Sequence, residues 1–228
     1  MTKPNISPEE IIKRYLLFII SLFVSALGVA ITKRGELGVS PISSVANILS
    51  YKFEFLTIGS WLIVWNCILI AGQIIILRRN FQPIQLLQVP LSFLFGWFTD
   101  FGMWIASFIP VTSYPIQLIL VVAGVTILGF GISLSVIANV IMNSGEAFVK
   151  AISDSIHREF GIVKITFDVT CVILSIALSL LFFHFTVVGT REGTIISAFL
   201  TGITVKVFCN KLSKPLTLIL ASDSDSPE

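Results

Sequence analysis

The sequence predicts an all-α polytopic membrane protein, with six transmembrane helices and two short half-helices in a 3+3 inverted repeat. Three observations carry that prediction. Hydrophobic residues make up 55% of the chain and charged residues 12%, with a mean hydropathy of +0.95, whereas a soluble globular domain carries about 25% charged residues. Six apolar runs approach the roughly 20 residues that a helix needs to cross the hydrocarbon core. The second half also repeats the first in outline. Gly28 stands twelve residues before Ser40-Pro41, as Gly131 stands twelve before Asn143-Ser144; Gly59 precedes Asn66 by seven, as Gly161 precedes Asp168. Phe93-Leu94-Phe95-Gly96 returns as Phe199-Leu200-Thr201-Gly202.

Residues 1–10 are polar, contain Pro4 and Pro8, and read as a cytoplasmic lead-in. The first apolar run, 15–32, has no small-residue cleavage site before a polar sequence, so it is expected to stay as a signal anchor. A short segment, 41–51, follows it. Ser40 occupies the N-cap position there and Pro41 the first helical position, where the missing N–H costs nothing. Spans are expected at 60–77 and 86–109, the latter kinked at Val89-Pro90, with Gln82-Pro83 ending the loop before it. The uncharged turn around residues 110–114 leads to a fourth span at 116–137. The second short segment, 144–160, begins with Asn143 and has Glu146 three residues on, the spacing of a capping box. Its apolar residues gather near one face, so a half-helix and an interfacial amphipathic helix both stay open for it. Spans at 163–185 and 194–209 complete the set, and the Ser-rich acidic tail from residue 222 reads as disordered. These segments divide into a first repeat, 1–110, a second, 111–214, and a cytoplasmic tail, 215–228.

Lys and Arg placement orients the chain. Lys3, Lys13, Arg14, Arg78, Arg79, Lys150, Arg158, Lys164, Lys206, Lys211 and Lys214 fall on one side of six crossings; Lys33, Arg34, Lys52 and Arg191 fall on the other. The excess puts both termini in the cytoplasm. Three crossings per repeat then force the second copy to enter from the opposite face, so the two units are inverted. The net charge of +2 reports on topology, and nothing in the sequence resembles a nucleic-acid footprint.

Several chemistries are unsupported. Cys67, Cys171 and Cys209 lack metal-ligand spacing, and His157 and His184 lie far apart, so neither a metal site nor a cofactor is expected. No Ser-His-Asp set, H-E-x-x-H or Walker A loop is present, so the chain does not read as an enzyme, and ATP-driven transport would need a separate subunit.

A helix end inside the bilayer exposes unpaired N–H groups and the positive end of its dipole, which attract polar or anionic ligands. The expected substrate-binding set is therefore Ser40, Ser43, Ser44 and Asn47 from the first short helix, facing Asn143, Ser144 and Glu146 from the second. Asn66 and Asp168, equivalent positions at membrane depth, complete it, because ionisable residues there persist with a partner or a wet cavity. Two plainer explanations compete. Small residues also serve close helix packing, and Lys164, one turn before Asp168, could simply pair with it. Gln73, Gln85, Gln88 and Asn139 read as interhelical hydrogen-bonding groups, and Trp61, Trp65, Trp97 and Trp104 as lipid-facing or interfacial.

The stretches Ala26-Leu27-Gly28-Val29-Ala30 and Gly38-Val39-Ser40-Pro41-Ile42-Ser43-Ser44, followed by Gly59, Asn66 and Gln73, resemble the YczE/YitT-like group of bacterial membrane proteins. Gln85-Leu86-Leu87-Gln88 and Phe93-Leu94-Phe95-Gly96 fit the same pattern, whereas Lys33-Arg34-Gly35-Glu36 departs from the turn the group more often has. The resemblance implies a transport or regulatory role and no specific activity. The paired caps at Ser40 and Asn143 within the repeat point to a secondary transporter or facilitator of a small polar or anionic solute. A membrane scaffold or regulatory subunit, and a substrate-binding subunit of a modular importer, are the alternatives. The lipid bilayer is the first partner, and a homodimer is left open.

Overall fold

The structure, a computed structural model, describes residues 7–220. Of the expected lead-in, residues 1–6 lie outside the described residues, as does the acidic tail from residue 222, whereas residues 8–10 already belong to the first helix. Within them the chain forms eight α-helices and no strand: α1 Pro8–Arg34, α2 Pro41–Lys52, α3 Ile58–Leu77, α4 Gln88–Ser107, α5 Tyr114–Ala138, α6 Ser144–Ile156, α7 Phe160–Phe182 and α8 Glu192–Leu220. Six are long and apolar enough to cross a membrane, and α2 and α6, of 12 and 13 residues, are not.

Local chemistry sets the boundaries. Ser7 caps α1 by accepting from the Glu10 N–H at 3.2 Å, and Thr57 caps α3 through the Ser60 N–H at 3.1 Å. A 3-10 turn over Pro83–Leu87 precedes α4, so Pro90 falls in the first turn of that helix. The proline expected to kink the span therefore stands just past the junction where the 3-10 turn passes into α4, the Gln88 N–H bonding back to the Gln85 and Leu86 carbonyls. The second short helix also ends earlier than expected. His157 takes the left-handed conformation, with φ 51°, and closes α6, and Phe160 opens α7 instead. At the other extreme α8 runs on to Leu220, past the expected end near Cys209, with Pro215 inside it.

Helix pairs in lipid gain little from burying apolar surface, so close backbone approach at small residues holds them together. The central pair, α1 and α5, shows this twice. Gly28 lies against the backbone of Leu128, and Gly131 against the backbone of Ser25, with no room for a Cβ at either place. Around that pair α4 packs on α1 and α8 on α5. The short helix α2 packs between α3 and α7, and α6 packs against the same two helices. One pairing stands out by its contrast with another: α3 and α4 pack along each other, whereas α7 and α8 do not. Both of the latter carry exposed apolar side chains, such as Ile165, Ile173 and Leu181 on α7 and Ile195, Phe199 and Ile203 on α8.

The α1–α2 connection is itself buried. Leu37 and Val39 are fully buried, and Gly38 between them has φ 119°, a conformation that only glycine adopts readily. Its carbonyls are satisfied by α8, through the Gly193 N–H to Leu37 at 2.8 Å and the Ser197 hydroxyl to Val39 at 3.2 Å. This pins the start of α2 in place.

Candidate functional site

A cavity of about 570 Å³ lies inside the bundle, and the N-termini of both short helices reach it. Ser40, Pro41 and Ser43 line it from α2, and Asn143, Ser144, Gly145 and Glu146 from α6. Ser40 and Asn143 both hold N-cap dihedrals, φ −58° and ψ 150°, yet neither side chain makes a capping bond. The Ser40 hydroxyl donates instead to that of Ser43, at 3.0 Å. The capping box expected between Asn143 and Glu146 is thus not formed. First-turn N–H groups without intrahelical partners stand at the cavity from two helices.

The cavity wall combines these helix starts with α1, α3, α4, α5, α7 and α8. From α7 come Lys164 and Asp168, joined by an ion pair at 2.5 Å and both partly buried. Asn66 of α3 and Glu146 share the same space. Burial pushes the Glu146 carboxyl above its ordinary range, and the Lys164 ammonium acts in the opposite direction. Much of the remaining wall is apolar, including Phe18, Leu22, Val29, Leu62, Phe95 and Leu128.

Seven of the nine residues expected at the site therefore stand around one cavity: Ser40, Ser43, Asn66, Asn143, Ser144, Glu146 and Asp168. Ser44 and Asn47 do not line it. The Ser44 hydroxyl is buried against the Pro41 and Cys171 carbonyls, and the Asn47 amide donates to the Gly189 carbonyl at 3.0 Å. One helical step from Ser43 to Ser44 turns the side chain by about 100°, away from the cavity and towards α7.

Two buried glutamines hold the second helix start. Gln73 and Gln88 exchange amide hydrogen bonds at 3.1 and 3.2 Å, and Gln73 also donates to the Ser144 carbonyl at 3.1 Å. Their interhelical role was expected; their anchoring of α6 was not. Sequence reasoning also missed Ser92, Ser197 and Thr201 on the cavity wall. The repeat held a usable signal: the offset that equates Gly96 with Gly202 equates Phe95 with Thr201, and both line the cavity.

An all-helical bundle with six membrane-length helices around a cavity of mixed polarity is the make-up of a multi-pass membrane protein. The chain belongs to a family of unknown function, DUF6198, whose model matches residues 12–210. That match does not carry the YczE/YitT-like name. Comparison with curated proteins and with solved structures finds no match.

Proposed function

We propose that the protein is a secondary transporter or facilitator that binds a small polar solute in the cavity between the starts of α2 and α6. The single observation that carries this reading is the shared cavity: two uncapped helix N-termini and the Lys164–Asp168 pair all line it. Unpaired N–H groups favour ligand oxygens, and the apolar wall suits a solute with a hydrocarbon part. Of the polar and anionic solutes expected from the sequence, the neutral or zwitterionic ones fit better. The Lys164 ammonium is already paired with Asp168, with the Glu146 carboxyl in the same cavity, so no unpaired cation is left to hold a plain anion.

The inverted repeat belongs to the same proposal, with α1–α4 as one unit, α5–α8 as the other, and α2 and α6 as re-entrant half-helices. Reciprocal contacts support it. Exchanging the two halves turns the Gly28–Leu128 approach into the Gly131–Ser25 approach, and the α2–α7 packing into the α6–α3 packing. The bilayer in question is the bacterial inner membrane, with both termini cytoplasmic. Ser113→Cys should then react with an impermeant thiol reagent from outside, and Ser213→Cys should not.

Transport is tested by screening purified protein for stabilisation by a metabolite panel, and by measuring cellular uptake of any hit. Ser40→Leu and Asn143→Leu should each abolish that stabilisation and the uptake. If no solute stabilises the protein and both variants leave uptake intact, the transporter reading is wrong.

A further inference from the structure

The two halves of the molecule differ at one seam. In the first half α3 and α4 meet closely, with Gly59 against the Gly96 carbonyl and both glycines buried. Asp100 on α4 also caps α3, its carboxylate accepting from the Thr57 hydroxyl at 2.6 Å and the Gly59 N–H at 2.9 Å. The offset that equates Gly59 with Gly161 equates Thr57 with Glu159, the N-cap of α7. That equating Gly96 with Gly202 equates Asp100 with Lys206 on α8.

At this second seam the helices stand apart. Gly161 and Gly202 are both exposed, and open space lies where a Gly202 side chain would stand. Both glycines line the central cavity. Glu159 and Lys206 are exposed, and neither is among the ion-paired side chains of the described residues.

We infer that the α7–α8 seam is a gate, which closes the cavity mouth by bringing Gly202 against Gly161 and Lys206 onto Glu159, as α3 and α4 are already closed. The gate rests on the repeat reading above. Glycine inside a helix is a poor helix former relative to alanine, and at Gly59 and Gly96 the close approach of two backbones explains its presence. Nothing in the open seam uses the missing side chain of Gly202; closure does. The charges follow the same logic. An anion belongs at a helix N-terminus and a cation is repelled from it. In the first seam the anion is Asp100, reaching across from the facing helix. In the second it is Glu159, already on α7, and the facing helix supplies Lys206 to hold it.

The test reads helix approach, not solute movement, so it can fail while the transporter reading stands. The chain carries Cys67→Ser and Cys209→Ser, buried Cys171 is kept, and all measurements are made in membranes with an impermeant maleimide. Ser40→Cys, on the cavity wall, reports the mouth by its labelling rate. Gly202→Leu should wedge the seam open and raise that rate. Glu159→Lys should raise it by about two- to fivefold, the range an exposed ion pair supports, and adding Lys206→Glu should return it towards the parent. Separately, Glu159→Cys with Lys206→Cys should give an intramolecular crosslink with a short bis-maleimide. Equal labelling rates in the parent, Gly202→Leu and Glu159→Lys, or a folded double-cysteine protein that gives no crosslink, overturns the gate.

Discussion

Gly59→Ala and Gly202→Ala make the same chemical change at one glycine of the close α3–α4 pair and one glycine of the separated α7–α8 pair, and should differ in their effect on stability. A Cβ at Gly59 collides with the Gly96 carbonyl oxygen and comes within 2.6 Å of the Asp100 carboxyl carbon. The Gly96 carbonyl is backbone and the Asp100 carboxylate is held by its bonds to Thr57 and Gly59, so α4 must move away, which also loosens that cap. Overpacking of this kind costs about 1–3 kcal/mol, and a weakened charge-assisted cap about 1 kcal/mol more. Replacing glycine by alanine in a helix returns about 1 kcal/mol, leaving a net loss of about 2 kcal/mol. At Gly202 nothing lies within 4 Å of the added methyl, so only the propensity gain of up to about 1 kcal/mol remains. With about 2–4 °C per kcal/mol for a chain of this size, thermal unfolding in detergent should show Gly59→Ala lowered by several degrees and Gly202→Ala unchanged or raised. Equal destabilisation of the two variants, or a Gly59→Ala protein as stable as the parent, would refute the reasoning.

Gln73→Leu should be the more damaging half of a pair. It leaves the Gln88 amide and the Ser144 carbonyl buried and without their partner, a loss of about 2–4 kcal/mol, whereas Gln73→Leu with Gln88→Leu removes one orphan and should melt at a higher temperature than the single variant; strictly additive losses would contradict this. Glu146 predicts a pH dependence. A carboxyl whose folded-state pKa is raised binds its proton more tightly in the folded chain, so its contribution is fullest at low pH and is lost as pH rises through the folded value. The melting temperature of Glu146→Gln relative to the parent should therefore climb as pH rises above the ordinary carboxylate range, and a flat difference would show that burial does not raise this carboxyl.

The long helices were legible because a membrane span needs only length and apolarity, and six runs supplied both. Their ends were less so. Pro90 looked like a mid-helix position because the apolar run passes through it unbroken, and only the structure shows that a 3-10 turn over Pro83–Leu87 passes into α4 two residues before it. The faces of α2 were illegible for a related reason. Ser43, Ser44, Val45, Ala46, Asn47 and Ile48 are all buried, so no polar stripe distinguishes the cavity side from the packed side. Ser44 and Asn47 were grouped with Ser40 and Ser43 on proximity in sequence, and the helical turn separates them. The open α7–α8 seam could not be read at all. Gly161 and Gly202 match Gly59 and Gly96 in spacing, yet the first two are exposed and the last two buried against each other's helix, and spacing alone carries no signal of that difference.

The most direct measurement is the water accessibility of the two helix starts. Ser40→Cys, Asn143→Cys and Ser44→Cys, each in the background of Cys67→Ser and Cys209→Ser, are exposed in membranes to a small hydrophilic thiol reagent and their labelling rates compared. A shared aqueous cavity between α2 and α6 predicts that Ser40→Cys and Asn143→Cys both react while Ser44→Cys, buried against the Pro41 and Cys171 carbonyls, stays inert. Ser40→Cys and Asn143→Cys as unreactive as Ser44→Cys would mean that the space between them is packed shut, and would contradict the cavity on which the proposed function stands.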